Sequence, residues 1–169
     1  MQLVKPDASI LHRETMSIPL SESIKEEIQT LADDMLETMF NNNGIGLAAP
    51  QIGIGRQIFV MGDSDTNYVC INPKLIGYDK DAITNVEEGC LSYPNLRLTI
   101  ERYDSIVVTF YDRDFEYQHQ EFKGIWARCF LHELDHLNGV TFTSKVSKVK
   151  LQRAREKARK LTKRLNKRK

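Results

Sequence analysis

At 169 residues, 41% hydrophobic and 28% charged, the chain is long enough for one buried core, and it lacks the roughly 20-residue apolar run of a bilayer-spanning helix. Its net charge of +1 hides two opposed parts: residues 1–144 hold 11 Lys+Arg against 22 Asp+Glu, while residues 145–169 hold 13 Lys+Arg against the single acid Glu156. An acidic body with a basic tail predicts a polyanionic partner for the tail, and three cysteines (Cys70, Cys90, Cys129) behind an N-terminus with no apolar signal core predict reduced thiols in the cytoplasm.

Ser23 and Glu26 have capping-box spacing. Ile24, Ile28, Leu31, Met35 and Met39 follow at helical intervals, which predicts an amphipathic helix over 22–40 that stops at Asn41-Asn42-Asn43-Gly44. Residues 44–51 are small, apolar and glycine-rich, the pattern of a loop or a short strand with a tight backbone. Short β-branched or alternating runs predict strands over 57–61, 68–72, 82–86, 96–101, 105–111 and 115–122, punctuated by Gly77, Gly89, Pro94 and the turn Asp112-Arg113-Asp114. A helix over 125–138 ends at Asn138-Gly139. A last helix over 148–166 carries an apolar stripe of Leu151, Ala154, Ala158, Leu161 and Leu165 among basic faces. The elements predict an α+β fold: short antiparallel β-sheets packed around the central helix over 125–138, with a C-terminal basic amphipathic helix.

That central helix holds His132-Glu133-Leu134-Asp135-His136, two imidazoles four residues apart and therefore on one face. Two neutral ring nitrogens so placed bind a divalent metal, and Glu133 can take a proton from metal-bound water. The same pentapeptide also occurs on solvated helices without a metal. A metal needs a third ligand, and past Gly139 there is no His and no acid but Glu156, so the ligand must come from upstream. Cys90, in Glu88-Gly89-Cys90-Leu91-Ser92, is the best candidate. A thiolate beside two imidazoles leaves one position for water and favours softer divalent metals such as iron(II) or zinc. The competing reading of Cys90 is a small buried hydrophobe, the usual fate of a free cysteine.

Three segments taken together resemble the peptide deformylase family: Gly44-Ile45-Gly46-Leu47-Ala48-Ala49-Pro50-Gln51, then Glu88-Gly89-Cys90-Leu91-Ser92, then His132-Glu133-Leu134-Asp135-His136. Their order and separations match, and the resemblance runs from the first helix to the basic tail. It implies a metallohydrolase that removes the N-formyl group from the formyl-methionine of newly made polypeptides and releases formate. In that family Cys90, His132 and His136 would bind one divalent metal, natively iron(II), with zinc, nickel and cobalt also suited to the set. Metal-bound water would attack the formyl carbon, Glu133 acting as general base and then as acid toward the leaving amine. The side-chain amide of Gln51 and the backbone N–H of Leu91 would donate to the oxyanion.

The resemblance further implies that main-chain groups around Ile45 and at Gly89 pair with the peptide like an added strand, with Gly46 giving it room. The substrate's methionine would sit among Ile45, Val86, Ile125, Cys129 and the His132 ring. Arg97 would lie farther along the peptide, against the commoner reading of a solvated strand arginine. Asp135 points off the His face and is expected to make a structural hydrogen bond, and His12 and His119 have no ligand spacing. Against the family pattern, the turn Asp112-Arg113-Asp114-Phe115 lacks its usual glycine, Pro50 falls at a variable position, and the stretch between Met61 and Val69 is short.

Residues 1–147 read as the catalytic domain and 148–169 as a basic helix that, as in bacterial members, would dock on ribosomal RNA near the exit tunnel. No membrane partner is expected. One rival is another metal-dependent amidase or peptidase; the missing downstream ligand and Cys90 weigh against it. The other is a ribosome- or RNA-binding factor with a vestigial metal site; intact Glu133 and Gln51 weigh against that.

Overall fold

The structure, a computed structural model, describes residues 1–167, without the side chain of Asn166; Arg168 and Lys169, the last cations of the expected tail helix, lie outside them. In chain order the elements are helix α1 (Glu22–Asn41), strands β1 (Gly46–Ala48), β2 (Ile58–Gly62), β3 (Asn67–Tyr78), β4 (Ile83–Cys90), β5 (Tyr93–Tyr103), β6 (Ser105–Tyr111) and β7 (Tyr117–Lys123), then helices α2 (Ile125–Leu137) and α3 (Lys148–Asn166). Every strand pairing is antiparallel, in a five-stranded sheet β1-β2-β3-β6-β7 and a separate hairpin β4-β5. The architecture is α+β, with antiparallel sheets and three helices. Among the described residues no helix is long and apolar enough to cross a membrane.

Strand alternation explains the layering. All five residues of β2 are buried, so both of its faces are covered. Phe59 and Met61 join a cluster with Ala127, Phe130 and Leu131 of α2. Ile58 and Val60, on the other face, join Ile28, Leu31, Met35 and Met39 of α1. The large sheet therefore lies between α1 and α2. A third cluster joins Leu96, Leu98 and Ile100 of β5 to Phe142 and Ala158. Leu151 and Ala154 also pack there, whereas Leu161 and Leu165 stay exposed, so the apolar stripe of α3 docks along its first half only.

Several boundaries differ from the sequence expectation. Helix α1 begins at Glu22, so Ser23 sits inside its first turn and the expected capping box does not form; the hydroxyls of Ser21 and Ser23 instead lie 2.9 Å apart. Strand β3 runs on past residue 72, because Asn72 takes a left-handed φ of 48° at a register shift that absorbs Pro73. The Asn72 side chain bonds both main-chain groups of Ile18 there. Gly77 lies within β3 at a second shift, and Gly89 and Pro94 lie within β4 and β5 instead of ending them. A two-stranded hairpin is all edge, where a proline's missing N–H leaves no ladder bond unmade. Strand β7 starts two residues late because Phe115 takes the left-handed φ of 65°; Asp112 Oδ1 accepts from the N–H groups of Asp114 and Glu116 to hold that turn.

Candidate active site

The site is assembled from three directions. Helix α2 brings Ile125, Cys129, His132, Glu133 and His136 along one face. Its C-terminal end is closed at Gly139, whose φ of 69° and whose approach to the Arg13 backbone (2.8 Å from an added Cβ) admit no side chain. Strand β4 delivers Cys90 as its last residue, paired with Tyr93 across a tight turn, and the register shift at Glu88/Cys90 is the local distortion that re-aims the chain. The segment 44–51 supplies edge strand β1 and, from the turn after it, Gln51.

The ligand atoms of Cys90, His132 and His136 all lie within 4.8 Å of one another, with Cys90 Sγ 3.2 Å from His136 Nε2. His132 Nδ1 is 2.9 Å from Glu88 Oε2. A carboxylate only accepts, so Nδ1 carries a hydrogen, and Nε2 is the nitrogen that a metal would take in place of its proton. Burial disfavours the charged form of His132, yet its bonds to Cys90 and Glu88 outweigh that and push it up to about 10. Surroundings that hold a proton there so firmly also favour a metal cation. Two buried polar atoms, Glu133 Oε2 and His136 Nδ1, have no hydrogen-bond partner among the described residues. The donor set, the negative surroundings and an unpartnered carboxylate oxygen fit a divalent metal.

The neighbouring groups are shifted as well. Burial raises Glu133 to about 7, with His132 opposing. It drives His136 well down, helped by the charge on His132, so that ring is neutral and free to coordinate. Burial would also raise Glu88, but hydrogen bonds from His132 and Arg102 prevail and hold it at about 2. Arg102 grips Glu88 at 2.7 and 3.0 Å and reaches Asp135, which also pairs with Lys145 at 3.0 Å. Asp135 thus makes the structural contacts expected of it.

A cleft of about 710 Å³ runs past this cluster, lined by every residue expected at the site except His136. Ile45, Gly46, Gln51, Val86, Gly89, Leu91, Arg97, Ile125 and Cys129 all face it, together with Cys90, His132 and Glu133. Gln51 is buried, accepts from the Ala48 N–H at 2.8 Å, and aims Nε2 at Cys90 Sγ (3.4 Å) and Ser92 Oγ (3.3 Å). At Gly46 a Cβ would stand 2.3 Å from Glu133 Oε1 and 2.7 Å from Cys129 Sγ and would displace them. Ile45 and Ile125 are exposed apolar side chains on the cleft wall, not core. The Ile45 carbonyl already accepts from the Gly62 N–H at 3.0 Å and the Cys129 thiol at 3.3 Å, so strand pairing with a peptide falls to other main-chain groups of that segment. Arg97 is exposed, with its guanidinium lying over the backbone of Gly89.

Sequence reasoning gave no role to Glu88, Arg102, Ser92 or Arg128. Arg102 was legible in principle: Leu96, Leu98, Ile100 and Arg102 are the inward positions of β5, and a cation on the inward pattern requires a buried acid.

Comparison with known proteins agrees with this geometry. The family model for polypeptide deformylase matches residues 1–152. A peptide deformylase of Agrobacterium fabrum is 44% identical over 136 residues, 78% of this chain and 79% of that protein. The structure resembles a peptide deformylase from Legionella pneumophila with a TM-score of 0.86 at 33% identity, covering 99% of this chain and 98% of that one. It resembles one from Synechococcus elongatus in complex with actinonin with a TM-score of 0.85 at 35% identity, covering 93% and 85%. The chain belongs to the polypeptide deformylase family and is an enzyme of it, acting on formylated peptides.

Proposed function

We propose that the chain hydrolyses the N-formyl group of formyl-methionyl nascent peptides, releasing formate, at the centre made by Cys90, His132 and His136 on the central helix α2. The observation that carries this reading is the meeting, in one cleft, of a three-ligand cluster, a buried carboxylate and a fixed side-chain amide. Cys90, His132 and His136 would hold a divalent metal, natively iron(II), with zinc, nickel or cobalt as substitutes, which would supply Lewis acidity toward the formyl carbonyl and water. Glu133, raised to about 7, takes the proton of the attacking water near neutral pH and returns it to the departing amine. Gln51, oriented by Ala48, and the N–H of Leu91 donate to the charge that develops on the formyl oxygen. Glu88 fixes the ring of His132.

The peptide lies extended between the edge strand β1 and the hairpin, with its methionine among Ile45, Val86, Ile125, Cys129 and the His132 ring and with Arg97 farther along. Residues 1–147 are the catalytic domain. The basic segment 148–169 meets ribosomal RNA in the cytoplasm, where formyl-methionine emerges; the dense exposed cations of α3 support that partner.

Formyl-Met-Ala-Ser set against acetyl-Met-Ala-Ser tests the reaction. We expect formate release with the acetyl peptide left intact. Comparable cleavage of both, or of internal peptide bonds, would assign the site to a general amidase or peptidase.

A further inference from the structure

We propose that Arg128 extends the substrate range of this site to formyl peptides whose first side chain ends in an oxygen acceptor, above all the sulfoxide of oxidised methionine. The inference rests on the deformylase reading and deepens it. Arg128 lies three residues after Ile125 and four before His132 on α2, next to Cys129, and lines the same cleft. Its side chain is 21% exposed, so it belongs to the wall and not to the outer surface. The cleft wall beside the apolar Ile125 and Cys129 therefore also carries Arg128.

That guanidinium is held in place. Its Nη1 pairs with Asp104 Oδ1, in the turn between β5 and β6. The Asp104 backbone is itself pinned, donating to the Ala82 carbonyl at 2.7 Å and accepting from the Gly124 N–H at 2.8 Å. A guanidinium offers five N–H donors in a fixed fork. Among the described residues, Asp104 is the only side chain that Arg128 bonds, through one nitrogen. The remaining donors of this mostly buried side chain gain from an acceptor. In the proposed pose the first side chain lies beside Ile125, Cys129 and the His132 ring, and along an extended peptide the second points to the other side. Methionine sulfoxide keeps methionine's length and adds one strong acceptor oxygen.

The test compares kcat/KM for formyl-Met-Ala-Ser, its methionine-sulfoxide analogue and its norleucine analogue in metal-loaded wild type, Arg128→Leu and Arg128→Lys. The sulfoxide-to-norleucine ratio, taken within each protein, is independent of how much of it is folded. We expect that ratio to fall about ten- to a hundredfold in Arg128→Leu and to recover in part in Arg128→Lys, which keeps a donor. The same ratio in wild type and Arg128→Leu would overturn the inference while leaving the deformylase reading intact. No formate from any peptide with the loaded wild type would overturn that reading, and this inference with it.

Discussion

Arg102 is a cation with almost no access to water, its side chain 4% exposed, and it survives there because Glu88 and Asp135 flank it. Glu88 in turn braces His132, so one buried arginine sets the charge around the centre. The Glu88 carboxyl is held at about 2 against an ordinary 4.5. Ionised Glu88 thus contributes stability that is fully present above about pH 4.5 and is lost as pH falls toward 2, on the order of 3 kcal/mol. Chemical denaturation of chelator-treated protein should show this loss in wild type and a flatter acid limb in Glu88→Gln; parallel limbs would contradict it. For catalysis, Gln51→Ala should lower turnover by about 10²–10³ with the fold retained, as removal of one oxyanion donor does. A matching loss of thermal stability would instead assign Gln51 to packing. Cys90, His132, His136 and Glu133 stood out in the sequence because few residue types suit metal chemistry at that spacing, and the fold brings them together. Glu88 and Arg102 escaped because they act through other side chains, and such pairings come from strand register, not from sequence neighbours.

Among the elements, the helices were legible almost to the residue, since a 3.6-residue period sustained for four or five turns leaves little freedom. The strands were legible in their existence but not in their length. Glycine and proline look like terminators in sequence, yet Pro73, Gly77, Gly89 and Pro94 all sit inside strands, at bulges or on edges. Helix α3 poses the sharper functional question. Removing it after Lys148 would uncover Leu96, Leu98 and Ile100, because Leu151, Ala154 and Ala158 cover them. Ending the chain at Lys160 keeps that packing and removes Lys163, Arg164, Lys167, Arg168 and Lys169. We expect this truncation to retain turnover on a short formyl peptide and to bind ribosomes more weakly. Its slope of log affinity against log salt should be shallower by about 0.7–0.9 for each phosphate that the shortened helix no longer neutralises. Unchanged ribosome sedimentation would remove the tail from that role.

At the scale of the molecule, the cleft lies where the sheet, the hairpin and α2 meet, with Cys90, Gln51 and the His pair contributed by separate parts of the chain. Only the fold brings them together, so the three sequence segments carried the site while the distances between them did not follow from sequence. The charge asymmetry was legible at once, an acidic body behind a basic end, and it is the basis of the polyanionic partner proposed for the tail. The central claim is that Cys90, His132 and His136 hold the metal and Glu133 moves the proton. Formate release from formyl-Met-Ala-Ser by iron(II)-loaded protein under anaerobic conditions, with Glu133→Ala loaded in parallel, tests it most directly. The account predicts rapid release by the wild type and a fall of at least about 10²–10⁴ in the variant at unchanged metal content. No release from folded, metal-loaded wild type, or equal release from both proteins, would contradict it.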